Sequence, residues 1–174
     1  MRSPKPLTVD VFELARESGV IEGDLPLDAL PRLASSLLRA DSALHFRIRG
    51  EIDAQSHPGA ELHLWADLVL QCQRCSNEIR YPLRRDVHFR FVGSDEELAA
   101  IPIVDDEVEI IVGSRSMAVA PWLEDEAILS LPVVPRHEDC RALVASEITD
   151  EEAAPDRPNP FAALAALKAG RKPS

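Results

Sequence analysis

The alternation of apolar and polar residues changes its period twice along the chain. Over residues 9–40 the apolar positions recur at about 3.6 residues, the helical period. Over residues 43–113 they alternate with polar positions, which is typical of strands with one buried and one solvated face. The helical period returns over residues 120–131. The pattern predicts an α+β fold in which N-terminal helices and a later helix flank an antiparallel sheet.

Two short helices are predicted within residues 9–40. Asp10 is placed to cap the first helix, and Gly19 is placed to end it. Asp28 is placed to cap the second helix, and Pro31 then falls in the first turn, where a missing N–H is tolerated. The apolar stripe of the second helix comprises Leu30, Leu33, Ala34, Leu37 and Leu38.

Five alternating segments predict the strands of the sheet. They are residues 44–49, 62–70, 79–83, 87–91 and 107–112. Turns are expected within residues 50–59 and residues 72–77. The later helix is expected to begin at Pro121, a residue suited to the first helical position, and to end at Pro132.

Length and composition favour one compact domain followed by a tail. The chain has 174 residues, of which 45% are hydrophobic and 28% charged, an ordinary globular composition. We expect a single α+β domain over residues 1–145. Residues 146–174 are acidic and rich in proline, which predicts a mobile C-terminal segment with a short helix at 160–168.

Membrane and secretory signals are missing from the sequence. No apolar run approaches the roughly 20 residues of a membrane-spanning helix. The N-terminal residues contain no apolar stretch like that of a signal peptide. We therefore expect a cytoplasmic protein with no membrane partner, in which the three cysteines are thiols or metal ligands rather than disulfides.

The net charge of −11 is concentrated in the C-terminal half. Residues 93–174 carry 7 basic and 17 acidic side chains, whereas residues 1–92 carry 12 basic and 13 acidic ones. Such a chain repels phosphate backbones at long range, and a general nucleic-acid binder is expected to be basic. Any contact with RNA must therefore use a local patch, unless a protein partner makes the contact.

The segment Cys72-Gln73-Arg74-Cys75 is the most informative local motif. Two cysteines at this spacing in a turn can place both sulfurs on one metal ion. His137 and Cys140, three residues apart after the later helix, can supply two further ligands. The four residues predict a closed and therefore structural Cys3His zinc site, which would hold the C-terminal part of the chain on the turn.

Two other interpretations of the same motif remain open. Cys72 and Cys75 can be two small buried thiols in a tight turn, with His137 in solvent. A redox function is the third interpretation, but a thioredoxin-type motif opens a helix after a strand, whereas this one lies in a predicted hairpin.

A run of arginines forms the second candidate site. Arginine suits bidentate phosphate contacts and stacking on bases, so these residues are candidate nucleic-acid ligands. They are Arg47, Arg49, Arg74, Arg80, Arg84, Arg85 and Arg90. The alternative is a solvated sheet face on which arginines pair with nearby acids. Those acids are Glu51, Asp67, Glu78 and Asp86.

The sequence offers little support for an enzyme. Glu124, Asp125 and Glu126 form an acidic cluster, but such clusters more often mark a solvated helix start than acid–base chemistry. The sequence contains no phosphate-binding loop, dinucleotide fingerprint, nucleophile elbow or H-E-x-x-H motif. We therefore predict no catalytic residues and no small-molecule substrate.

Three segments in one order resemble the bacterial large ribosomal RNA subunit accumulation protein family, the YceD-like proteins. They are residues 72–75, residues 124–137, and the Pro158-Asn159-Pro160-Phe161 segment with the leucines that follow it. Some relatives carry additional cysteines after the Leu-Pro-x-x-Pro segment, which would complete a four-cysteine site. This chain has His137 and Cys140 there. The resemblance also makes residues 158–161 a candidate partner-binding segment, docking on a partner or on the chain's own domain.

The resemblance implies a non-enzymatic ribosome biogenesis factor that supports synthesis, processing or stability of 23S rRNA. Such a factor would bind large-subunit rRNA through the arginines, or a basic ribosomal protein or assembly factor through its acidic half. The charge balance favours protein contact, with local RNA contact. The alternatives are a thiol- or metal-dependent RNA-processing enzyme centred on Cys72 and Cys75, and a zinc-stabilised protein-interaction module.

Overall fold

The computed structural model describes residues 7–102 and 108–140. The chain divides into two units, Met1–Arg141 and Ala142–Ser174, and the described residues all belong to the first. The elements are β1 (Thr8–Val9), α1 (Val11–Arg16), β2 (Val20–Pro26), α2 (Pro31–Ala34), β3 (Ala43–Ile52), β4 (Pro58–Gln71), β5 (Glu78–Val92), α3 (Asp95–Ala100), β6 (Val108–Val112), β7 (Met117–Ala118) and α4 (Val119–Leu129). The predicted tail, its helix at 160–168 and the candidate partner segment at 158–161 lie outside the described residues.

A five-stranded sheet with the order β2-β3-β4-β5-β6 confirms the predicted α+β class. The first four strands pair antiparallel, but β6 pairs parallel to β5, so the sheet is mixed. A parallel neighbour requires a crossover connection, and this lies between β5 and β6 in the chain. That crossover contains α3, which was not predicted; Ser94 caps this short helix by accepting a hydrogen bond from the Glu97 N–H at 3.2 Å.

The two segments predicted at 79–83 and 87–91 form one long strand, β5. Arg85 interrupts the hydrophobic alternation because it occupies an inward-facing position between Leu83 and Val87. Its guanidinium is accommodated there by ion pairs with Glu109 and Glu126. A half-buried arginine with a buried partner, Glu126, therefore fills an inward-facing position that the two predicted strands left out.

The prediction of helical structure throughout 9–40 is wrong for β2. This edge strand pairs with β3 along its whole length, from Val20 opposite Arg49 to Pro26 opposite Ala43. Only alternate positions of an edge strand contact the core, and here they include Gly23, which lies against the Phe46 ring. With so few apolar side chains, the segment carries almost no strand signal.

The first predicted helix is confirmed and the second is much shorter than expected. Asp10 caps α1 by accepting hydrogen bonds from the N–H groups of Phe12 and Glu13, both at 3.0 Å. Asp28 does not cap α2, because residues 27–29 form a separate 3-10 turn and Leu30 occupies the cap position. Pro31 lies in the first turn of α2, as predicted, and takes its first position.

The core lies on one face of the sheet, beneath α1, α4 and the segment around α2. Trp122 of α4 packs edge-to-face on Phe89 and Phe91, with ring centroids 5.1 and 6.0 Å apart. The opposite face of β3, β4 and β5 carries polar and charged side chains. Within the described residues, no helix is both long and apolar enough to cross a membrane.

A buried carboxylate ties α2 to α4. Glu124 is 5% exposed and accepts hydrogen bonds from the backbone N–H groups of Arg32 and Leu33 at 2.7 and 3.1 Å. The Arg32 guanidinium adds an ion pair at 2.9 Å. Burial acts to raise the pKa of Glu124, but these hydrogen bonds outweigh it and lower the pKa. The carboxylate therefore caps α2 from a distant part of the chain.

We expect Glu124→Gln to lower the free energy of unfolding by about 1–3 kcal/mol, because a buried, charge-assisted acceptor is lost. Asp125→Asn is the matched control, since Asp125 also pairs with Arg32 but its side chain is 55% exposed. That control should change stability by no more than about 0.5 kcal/mol.

The two variants should also differ in their response to acid. The folded pKa of Glu124 is lowered, so its contribution to stability is present above its ordinary pKa and is lost as the pH falls through the folded pKa. Urea unfolding at a series of pH values measures both effects. Equal losses for Glu124→Gln and Asp125→Asn would contradict this assignment.

Candidate metal centre

The turn between β4 and β5 places two cysteines side by side. The Cys72 N–H donates to the Asn77 carbonyl, and the Ser76 N–H donates to the Cys72 carbonyl, both at 2.9 Å. Ser76 adopts a left-handed backbone with φ of 57°. These contacts fold residues 72–77 into a tight turn in which Cys72 and Cys75 are both buried.

The segment after α4 returns to this turn. The Gln73 N–H donates to the Pro135 carbonyl at 2.9 Å. Arg74 donates from Nη1 to the Cys140 carbonyl at 3.0 Å. The turn therefore holds residues 135–140 in place through one backbone donor and one side-chain donor, and this brings His137 and Cys140 to the two cysteines.

The four predicted ligands converge on one point. One donor atom from each of Cys72, Cys75, His137 and Cys140 lies within 4.8 Å of all the others. The Sγ atoms of Cys72 and Cys140 are 3.7 Å apart, and Cys75 Sγ is 3.5 Å from His137 Nδ1. Tetrahedral zinc with Zn–S bonds of about 2.3 Å separates its ligand atoms by roughly 3.5–3.8 Å. The cluster therefore fits a metal ion of this size and geometry.

The tautomer of His137 suits metal binding. Its Nε2 lies 3.1 Å from the Glu78 carbonyl oxygen, which can only accept a hydrogen bond. This contact assigns the ring proton to Nε2 and leaves the Nδ1 lone pair directed toward Cys75. Metal-binding histidines are commonly oriented by such a bond from the second ring nitrogen.

The thiols are crowded and unequal in acidity. Burial acts to raise the pKa of Cys72, but hydrogen bonds from the backbone of Cys75, His137 and Arg74 outweigh it and lower the pKa to about 5. Burial and the neighbouring Cys72 and Cys75 raise the pKa of Cys140. A cation among them would stabilise all three thiolates at neutral pH.

The donor set restricts the chemistry that a bound metal can support. Three sulfurs and one imidazole nitrogen are the ligands of a structural zinc site, in which the protein fills all four tetrahedral positions. The Cys72–Cys75 motif joins two antiparallel strands, as expected from the sequence. A thioredoxin-type redox pair instead lies at the start of a helix, so this motif lacks that setting. His137 is half-buried and hydrogen-bonded, which differs from the interpretation in which it lies in solvent.

The seven candidate arginines are divided among three places. Arg85 lies on the inward face of β5, and Arg74 lies in the turn beside Cys140. The other five lie on the open face of the sheet, opposite the core. They are Arg47, Arg49, Arg80, Arg84 and Arg90.

Much of the open face is neutralised by ion pairs. Arg49 pairs with Glu61 at 2.6 Å, and Arg90 pairs with Asp53 at 3.1 Å. The four acids named as alternative partners all have basic neighbours. The pairs are Glu51–His88, Asp67–Arg84, Glu78–Arg39 and Asp86–His63. The alternative of a solvated, charge-paired face therefore describes most of this surface.

Sequence reasoning did not single out Trp65 or Arg39 on this face. Trp65 is 38% exposed, and the His45 ring stacks on it with a centroid distance of 5.6 Å. Arg39 joins the sheet edge through an isolated bridge to Val69. The signal for Trp65 was present in the pattern, because a tryptophan stands at a polar position of the alternation.

Comparison with known proteins assigns the chain to a family. Residues 60–168, which include all four clustered cysteine and histidine residues, match the family described as large ribosomal RNA subunit accumulation protein YceD. The chain belongs to the YceD family. A YceD protein of Haemophilus influenzae that bears the same description is 29% identical over 168 residues, covering 94% of this chain and 95% of the relative. No solved structure gives a significant match.

We expect the protein purified under reducing conditions to contain about one zinc ion per chain, measured by elemental analysis. Cys72→Ser and His137→Ala should each lose the zinc and lower the thermal midpoint by about 10 °C, because residues 135–140 lose their attachment to the turn.

Glu138→Ala is the matched control, since Glu138 is exposed and lies between two of the proposed ligands. It should keep both the zinc and the thermal midpoint of the parent protein. Purified parent protein that is well folded and binds no zinc when zinc is supplied would contradict the assignment.

Proposed function

We propose that this chain is a non-enzymatic ribosome biogenesis factor that supports the accumulation of large-subunit ribosomal RNA. The proposal is carried by the match to the YceD family over residues 60–168 and by the relative's near full-length coverage. The relative's own description names accumulation of the large ribosomal RNA subunit. A protein with this role can act by binding, without making or breaking bonds in the RNA.

The chemistry of the Cys-His cluster supports a binding function. Zinc held by Cys72, Cys75, His137 and Cys140 would have four protein ligands, whereas catalytic zinc sites keep a position for water or substrate. The metal would supply cross-linking between the β4–β5 turn and residues 137–140. Its part in the function is then to fix the shape of this end of the protein.

The partner is a component of the forming large subunit. Two classes fit: the rRNA itself, and a basic ribosomal protein or assembly factor. The formal charge of −11 supports contact with a basic protein, because opposite charge raises the rate of association. Contact with RNA requires a local surface where arginines are available.

Deletion of the gene in the native host should lower the amount of mature 23S rRNA relative to 16S rRNA by about half or more, measured by RNA gel analysis. A plasmid copy of the parent protein should restore it. The informative variant is His137→Cys, which replaces one zinc ligand by another and keeps the site closed.

The binding proposal expects His137→Cys to keep its zinc and to restore 23S rRNA as well as the parent protein does. A reaction that uses the His137 imidazole for proton transfer would be lost in the same variant. A variant that is folded and zinc-loaded but inactive would therefore favour an enzyme. Normal 23S rRNA in the deletion strain would overturn the proposal altogether.

A further inference from the structure

The open face of the sheet presents one exposed tryptophan in a row of three side chains. Trp65 on β4 lies opposite His45 on β3 and opposite Arg84 on β5. The His45 and Trp65 rings are stacked, with 18° between their planes. Arg84 donates from Nη1 to the carbonyl of Ala66, the residue that follows Trp65, at 3.1 Å. An aromatic platform and a cation thus lie side by side.

A second row lies closer to the β4–β5 turn. Val69 on β4 is flanked by Arg39 on one side and by Arg80 on β5 on the other. Strands are about 4.8 Å apart, so the backbones of the two arginines are separated by roughly 10 Å. Arg39 pairs with Glu78 at 3.2 Å, with both side chains about half exposed. Arg80 is exposed and makes no ion pair with a described residue.

A groove of about 500 Å³ lies at this second row. Its lining includes both arginines, together with Val69, Tyr81 and Pro82. The volume is within the range of sites that hold small organic ligands. Its apolar floor between two guanidinium groups suits the sugar and base of a nucleotide whose phosphates contact the arginines.

The local charge differs from that of the whole chain. The two rows contain three arginines, Arg39, Arg80 and Arg84. The nearby carboxylates are Asp67, Glu78 and Asp24, and Asp24 contacts His45 Nδ1. The Arg84–Asp67 contact is long, at 3.6 Å. Exposed pairs of this kind stabilise little and are readily exchanged for a phosphate. At the other end of the face, Arg49 and Arg90 are held by closer acids.

We infer that the strip formed by His45, Trp65, Arg84, Arg39 and Arg80 binds single-stranded RNA, with a base stacked on Trp65 and phosphates on the arginines. The inference rests on the proposed function, which makes large-subunit rRNA a candidate partner. Unpaired bases stack on aromatic side chains, whereas the bases of a duplex are not exposed for stacking. The strip therefore selects single-stranded over double-stranded RNA.

The test measures binding of a fluorescein-labelled ten-nucleotide oligouridine to the full-length protein by fluorescence anisotropy. Any base can stack on an aromatic ring, and one stacked base contributes strongly to affinity. Trp65→Ala should therefore weaken binding by about 10-fold or more. The double variant Arg39→Ala/Arg80→Ala should weaken binding and lower the salt slope of log affinity by about 1.4, as expected for two lost phosphate contacts on a single strand.

Arg49→Ala is the matched control, because it removes one arginine from the same face where Glu61 already holds it. It should change the affinity by less than about 2-fold. Trp65→Phe keeps a smaller ring and should bind between Trp65→Ala and the parent protein. We expect each variant to keep the fold, because Trp65 and the arginines lie outside the core. Circular dichroism of each variant checks this.

Three results would overturn the inference. One is equal affinity for single-stranded and double-stranded RNA. Another is unchanged binding in Trp65→Ala. The third is a parent protein that has no measurable affinity for RNA but binds a basic ribosomal protein, with that binding lost in the strip variants. That result would make the strip a protein-binding surface.

A complementation experiment separates this inference from the proposed function. We expect Trp65→Ala and Arg39→Ala/Arg80→Ala to fail to restore 23S rRNA in the deletion strain, while Arg49→Ala restores it. If the strip variants restore 23S rRNA fully, the inference fails and the proposed function stands. If the deletion itself leaves 23S rRNA unchanged, the proposed function fails.

Discussion

The attachment of residues 135–140 to the β4–β5 turn is the constraint on which the candidate site depends. Two hydrogen bonds make the attachment: the Gln73 N–H donates to the Pro135 carbonyl, and the Arg74 side chain donates from Nη1 to the Cys140 carbonyl. Both ends of the Cys-His cluster are thereby fixed before any metal is considered. A cluster held in this way needs little rearrangement to accept zinc, so the ion's binding free energy would stabilise the fold directly.

The same turn also organises the sheet. β4 and β5 are the longest strands, and they meet in full register from Gln71 opposite Glu78 to Gly59 opposite Arg90. Glu78 contacts both the Cys-His cluster and the open face of the sheet. Its carbonyl oxygen orients His137, and its side chain pairs with Arg39. The Cys-His cluster and the arginines of the open face therefore both contact one short segment of β5.

The sequence predicted the Cys-His cluster correctly as a spatial group, because two soft ligands at a spacing of three in a turn can both reach one ion. It predicted α1 from a single capping aspartate. It missed β2, whose few inward side chains include a glycine, and it divided β5 at Arg85. Both errors arise where tertiary contacts, here strand pairing and a half-buried ion pair, override the local pattern.

An acidic chain can still contact RNA where some of its arginines are not held in close ion pairs with carboxylates. Long-range repulsion from a net charge of −11 slows encounter with RNA, but the Debye length is about 8 Å at physiological ionic strength. Beyond that distance the distant carboxylates are screened, and the short-range chemistry of Trp65, Arg80 and Arg84 decides what binds. Elsewhere on the open face, arginines in close ion pairs such as Arg49–Glu61 are less available to a phosphate group. The inferred selectivity for a short unpaired segment would then follow from the small size of the strip rather than from overall charge.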